Sequence, residues 1–220
     1  QSKTLGNWTG FTFDWYRQLF DTPEITDALV VTLSVAAISS IVATVLGTLA
    51  AIGLHAMKRR DRLLLENISQ LPMVNPDLVT GISLMLLFLF VGLRDGYVRL
   101  LIAHITFNLP YVIFSVLPKL RQSSDMFYEA ALDLGCTPMQ AIQKVVIPDI
   151  IPGIVSGLIM AFTLSLDDFV ISFFAGNGVD NLSMYIYASA RRGVNPALST
   201  IIFVPVVTLL LIVNLRSIRE

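Results

Sequence analysis

Charge is scarce in this chain. Of its 220 residues only 14% are Asp, Glu, Lys or Arg, where soluble domains carry about 25%. With 55% hydrophobic residues and a mean hydropathy of +0.72, that deficit excludes an ordinary soluble domain. It places the long uncharged runs in a bilayer. Cysteine is reduced to Cys136, so no internal disulfide can form, and a small packed loop residue is the simplest reading of it. No G-x-x-x-x-G-K-[ST] loop occurs, which argues against ATP binding and hydrolysis by this chain itself. His/Cys metal spacings and a nucleophile elbow are also missing, so neither a metal nor a catalytic residue is expected. A net charge of -1 gives no reason to expect nucleic acid. With no internal repeat and no low-complexity stretch, residues 1–220 read as one all-α integral membrane domain.

What is present is a series of apolar segments with charged ends. Residues 1–26 are polar and aromatic and too charged for a signal-peptide core. Trp8, Phe11, Phe13, Trp15 and Tyr16 suit a membrane interface, with a short amphipathic helix expected around Phe13 to Phe20. Spans are expected at 26–57, 73–93, 97–116, 150–175 and 195–215. The first closes on the basic cluster Lys58, Arg59, Arg60 and Arg62. Pro76 starts or kinks the second, Asp95-Gly96 favours a tight reversal, and the third holds His104, Asn108 and Pro110. Gly153 and Gly157 in the fourth form a close-approach pair.

The longest hydrophilic interlude, at 124–148, organises the rest. It reads as two short helices. Ser124 or Asp125 can cap the first and Gly135 ends it. Thr137 can cap the second, with Pro138 at its first position and Gln140 completing a capping box. Within it Glu129-Ala130-Ala131, three residues, Gly135, nine residues and Val145-x-Ile147-Pro148 resemble the EAA loop of ABC importer permeases. Val145 and Ile147 are conservative departures from Ile and Leu. The stretches Leu71–Phe88, Ala103–Ile113 and Ser165–Phe174 are similar to the spermidine/putrescine (polyamine) permeases, C-type transmembrane subunit, and the likeness covers nearly the whole chain.

That resemblance implies a polytopic type I permease of the bacterial plasma (inner) membrane. It implies a homologous second permease and an extracytoplasmic polyamine-binding protein as partners. It also implies two ATP-binding subunits, which hold the ATP and Mg. Glu129, Ala130, Ala131, Asp133, Gly135 and Pro148 would carry ATPase coupling from a cytoplasmic loop. With that loop inside, parity puts Lys58–Arg62, Lys119, Arg121, Lys144, Arg216 and Arg219 inside as well, in line with the positive-inside rule. The same parity puts Gln1 outside, and a further transmembrane helix is expected upstream of it.

Candidate pathway residues come from the acids within apolar runs, which are costly unless they face protein or water. At helical phase Asp168 aligns with Ala161, Ser165 and Ser172, a small and polar stripe. Asp167 aligns with Met160, Thr163, Ile171 and Phe174, a more apolar one. Asp168 is therefore expected to face the pathway and Asp167 to stand closer to structure. The competing reading of Asp168 is a structural acid paired with a neighbouring helix or with Arg191. Phe169 and Tyr185 offer aromatic faces to ammonium groups, with packing as the alternative. Asp77 is a weaker candidate that can simply cap a helix. His104 reads as a buried polar contact rather than a proton relay. An ABC permease for another small solute and an ion-coupled secondary transporter are the alternative functions; the latter leaves the EAA-like loop unexplained and lacks visible repeats.

Overall fold

The computed structural model describes residues 21–122 and 125–192; the side chains of residues 125, 126 and 192 are outside that description. The expected helix at Phe13 to Phe20, the cap at Ser124 or Asp125 and the span at 195–215 therefore fall outside the described residues. Every regular element among those described is helical. Among the described residues, three helical stretches are long and apolar enough to cross a membrane: Pro23–Ala56, Gly96–Gln122 and Pro138–Asp167. A fourth crossing is available if the bent pair Arg59–Val74 and Asp77–Val91 counts as one span.

Helix α1 (Pro23–Ala56) packs chiefly through small residues, with Val35 and Leu54 among the larger buried side chains. Ala36, Ala43 and Ala51 are fully buried there, beside Ser39, Ser40 and Thr44. Small residues let neighbouring backbones come close in lipid. The hydroxyls turn back on their own helix where they can, Thr44 Oγ1 donating to the Ser40 carbonyl at 2.6 Å.

The expected span at 73–93 is built differently. Helix α2 (Arg59–Val74) meets α3 (Asp77–Val91) at 102°. The cause is local: Pro76 excludes the α conformation from the residue before it, and Asn75 is extended at φ -71°, ψ 140°. In the sequence α2 showed only as the segment after the basic turn. Its inner face is pinned by buried Glu66, whose carboxylate receives Arg121 Nη2 at 2.6 Å, with Arg62 Nε 3.7 Å away. Leu64, Ile68 and Leu71 stay exposed.

Helix α3 ends on Gly92 at φ +76°. The turn after it leads into α4 (Gly96–Gln122), with Asp95 Oδ1 accepting from the Val98 amide at 3.0 Å. Helix α4 is the axis of the unit formed by residues 31–181. Leu100, Ala103, Phe107, Val112, Val116 and Leu120 are buried along it. Arg99 is buried too, its guanidinium 5.6 Å from the Phe88 ring centroid.

After α5 (Asp125–Asp133) and α6 (Pro138–Ala141), a π-helical turn, Ile142–Val146, leads without a break into α7 (Ile147–Asp167). The fourth span expected at 150–175 thus begins earlier and ends sooner. It stops at Asp167, and a separate short helix, α8 (Val170–Ala175), follows. The expected glycine pair packs α7 on α4. A Cβ on Gly153 would sit 2.9 Å from Lys119 Cγ and 3.0 Å from the Ser115 carbonyl oxygen, and one on Gly157 would sit 3.3 Å from Val112 Cα. Gly153→Leu is expected to cost about 1–3 kcal/mol through overpacking, read as a lower unfolding temperature of the detergent-purified chain. An unchanged midpoint would show that this contact gives way freely. Helix α9 (Leu182–Arg192) belongs to a second unit, where the Arg191 guanidinium lies 6.0 Å from the Tyr187 ring centroid.

Candidate functional site

Two groups of residues stand out, one in the hydrophilic loop and one at the helix break. In the loop, α5 ends in a paired closure: the Gly135 amide donates to the Leu132 carbonyl at 2.9 Å and the Cys136 amide to that of Ala131 at 3.0 Å. Gly135 sits at φ +87°, a left-handed conformation that costs a side chain dearly. Two residues later Thr137 caps α6 as expected. Its hydroxyl accepts from the Gln140 amide at 3.4 Å, and Gln140 Oε1 accepts from the Thr137 amide at 3.0 Å. The chain thus turns sharply between two capped helices. Ala131 is buried, while Glu129, Ala130, Asp133 and Pro148 are exposed. Phe127, Leu134 and Met139 are exposed as well, Leu134 at 87%, an apolar surface that a neighbouring protein can cover. Beneath α5 lies a cavity of about 430 Å³, lined by Ile52, His55, Arg62, Tyr128, Glu129 and Val146 among others.

At the break, the structure changes the reading of the acids. Helix α7 stops at Asp167, and Asp168 is extended at φ -61°, ψ 122°. Helical phase therefore does not carry from Ser165 to Ser172, and the expected stripe through Asp168 does not exist. Asp168 instead caps α8. Its Oδ1 accepts from the Ile171 amide at 3.2 Å, and its Oδ2 from the Ser172 amide and the Ser172 hydroxyl, each at 2.8 Å. His104 Nε2 stands 3.5 Å from the same Oδ2.

Around this cap the polar residues of three long helices meet. His104 Nδ1 bonds Ser165 Oγ at 2.9 Å and its Nε2 bonds Ser172 Oγ at 2.9 Å. Asn108 Nδ2 donates to Ser165 Oγ at 2.9 Å, and Ser39 Oγ of α1 reaches the same hydroxyl at 3.1 Å. Asn181 Nδ2 bonds the Asp168 carbonyl and Ser172 Oγ, both at 2.8 Å. Ser165 and Ser172 are fully buried, so neither forms the open polar stripe expected of them, while His104 is the buried contact it was read as.

Asp167 is exposed at the end of α7. Asp77 is exposed in the first turn of α3. Phe169 is half-buried against Phe173, ring centroids 5.6 Å apart, and Tyr185 is half-buried on α9. Sequence reasoning did not find Ser39, Asn108 or Asn181 as network members. Each lies in a small-residue or mixed stretch, with no spacing signal of its own.

The all-helical fold of the described residues, with its capped loop and broken span, is that of a polytopic membrane permease of the ABC transporter type. The chain matches the family model for "Binding-protein-dependent transport system inner membrane component" over residues 43–218. It is 35% identical over 202 residues to the spermidine/putrescine transport system permease protein PotC of Haemophilus influenzae, covering 90% of this chain and 79% of that protein. It is 38% identical over 212 residues to the putrescine transport system permease protein PotI of Escherichia coli K12, covering 91% and 75%. A bacterial ABC transporter structure involved in import of the acidic polysaccharide alginate has the same fold, with a TM-score of 0.72 at 19% identity over 97% of this chain and 86% of that one. The chain belongs to the family of binding-protein-dependent inner-membrane transport components, and it is homologous to polyamine ABC permease subunits. Its homologues are transport permeases of the inner membrane and not enzymes.

Proposed function

We propose that this chain is a transmembrane subunit of an ATP-driven polyamine importer, forming the translocation pathway with a homologous permease. The observation that carries the substrate class is the 35–38% identity, over nine tenths of the chain, to permeases named for spermidine and putrescine. The double-capped loop supports coupling. Its exposed Phe127, Leu134 and Met139 give one of the importer's two ATP-binding subunits an apolar surface to grip, with Glu129, Ala130, Ala131, Asp133, Gly135 and Pro148 setting its shape. ATP and Mg belong to those subunits. An extracytoplasmic binding protein delivers the polyamine. The work of this chain is differential stabilisation of inward- and outward-facing states, with no covalent chemistry.

The test is uptake of labelled spermidine and putrescine by proteoliposomes containing the importer purified with its co-expressed partner subunits. ATP-dependent accumulation, blocked by excess unlabelled polyamine and not by amino acids or sugars, is the expected result. Accumulation of a non-amine solute that polyamines leave untouched would sink the substrate assignment and keep the permease.

A further inference from the structure

We infer that Asp167, and not Asp168, is the carboxylate of this chain that meets the cationic substrate, at the outer end of α7. The inference rests on the polyamine reading above. The two acids are adjacent but have opposite fates. Asp168 is spent: three hydrogen bonds and His104 hold its carboxylate inside the helix packing. Asp167 is exposed and makes no hydrogen bond or ion pair among the described residues.

Its position makes it hungry for a cation on two counts. It is the last residue of α7, where the final turn of carbonyls forms the negative end of the helix dipole. A carboxylate there adds to that potential instead of offsetting it. Half-helix C-terminal ends at broken spans are suited to coordinating cations. Depth is the second count. The nearest charge toward the loop along α7 is Asp149, and the intervening rise at 1.5 Å per residue puts Asp167 about 27 Å further out, at the outer part of the hydrocarbon layer. An acid at that depth faces a watery cavity or protein, not lipid.

The surface leading to it has the matching character. Ser156, Met160 and Thr163 share its exposed face of α7. The Thr163 hydroxyl is turned onto the Ile159 carbonyl at 2.8 Å, and none of the three residues carries a charge. An ammonium group arriving from outside would find one free carboxylate at the head of an otherwise uncharged lane.

The experiment compares wild type with Asp167→Asn and Asp167→Glu in the complete importer, reconstituted in proteoliposomes with its binding protein. Uptake of labelled spermidine is normalised to assembled complex, and KM and maximal rate are separated. Asp167→Asn is expected to raise KM about tenfold, the scale of losing one partly desolvated ion pair, with maximal rate changed much less and Asp167→Glu restoring most of the affinity. An unchanged KM in Asp167→Asn overturns the inference while leaving the polyamine reading standing. Loss of the partner permease from purified Asp167→Asn complex also overturns it, since the carboxylate would then be pairing with a subunit cation. If wild-type importer accumulates neither spermidine nor putrescine, both the inference and the reading beneath it fall.

Discussion

Gly135→Val is expected to abolish ATP-coupled uptake while the chain still inserts into the membrane. At φ +87° a β-branched residue is strained by about 1–2 kcal/mol or more. There is open space around a Cβ at this position, so sterics with neighbours are not the cause. The strain is relieved by unwinding the closure at Leu132 and Ala131, which swings α5 relative to α6 and spoils the face proposed to meet an ATP-binding subunit. Gly135→Asn separates this from a simple loss of a small residue. Asn tolerates the left-handed region, so it is expected to keep most of the activity. Uptake and basal ATPase of both variants, at equal complex yield, are the measurements. Equal activity of Val and Gly would show that the closure is not needed for coupling, and equal failure of Asn and Val would point to side-chain bulk instead of backbone conformation.

Asp168→Ala is expected to lower stability by about 2 kcal/mol, the upper range for a lost helix cap, because donors buried beside it lose their acceptor. The Ile171 and Ser172 amides and the Ser172 hydroxyl all lose their partner at once, and His104 loses a neighbouring carboxylate. Amide hydrogen exchange across α8 in nanodiscs reads this directly: protection there falls in Asp168→Ala and is largely kept in Asp168→Ser, which still caps. If serine is as damaging as alanine, charge and not capping is what this position supplies, and the earlier expectation of a pathway role for Asp168 regains ground.

The contrast between loop and break shows what a sequence exposes. Thr137, Pro138 and Gln140 act over one turn, as does Gly135, so their geometry is written in consecutive residues and the loop was legible. Pro76 likewise announced the bend between α2 and α3, though not its size, which depends on where Glu66 and Arg121 draw α2. The break at Asp168 was not legible from periodicity, because Ser165 to Phe174 contains no proline or glycine and the helical phase extrapolates smoothly through it. One signal was available: aspartate is a strong capping residue, and a second acid directly after the first is an odd interior choice for a span. The network joining Ser39, Asn108, Ser165 and Asn181 depends on four separate segments meeting, which local pattern does not encode. The π turn at Ile142–Val146 left no trace in residue type at all.

The helical stretch Pro138–Asp167, 30 residues long, is about 45 Å from end to end. One end is the loop and the other is the broken tip bearing Asp167. Gly153, where α7 bears on Ser115 and Lys119 of α4, stands almost midway. If the stretch rocked about that contact as a beam, arms of about 22 Å and a rotation of about 10° would carry the two ends about 4 Å in opposite directions, an amplitude suited to hinge and shear motions, once the Ser165 hydrogen bonds near the tip let go. A pull on the loop arm would be delivered, reversed in sign, at the broken tip, and the wider π turn within that arm is where such a beam would flex first.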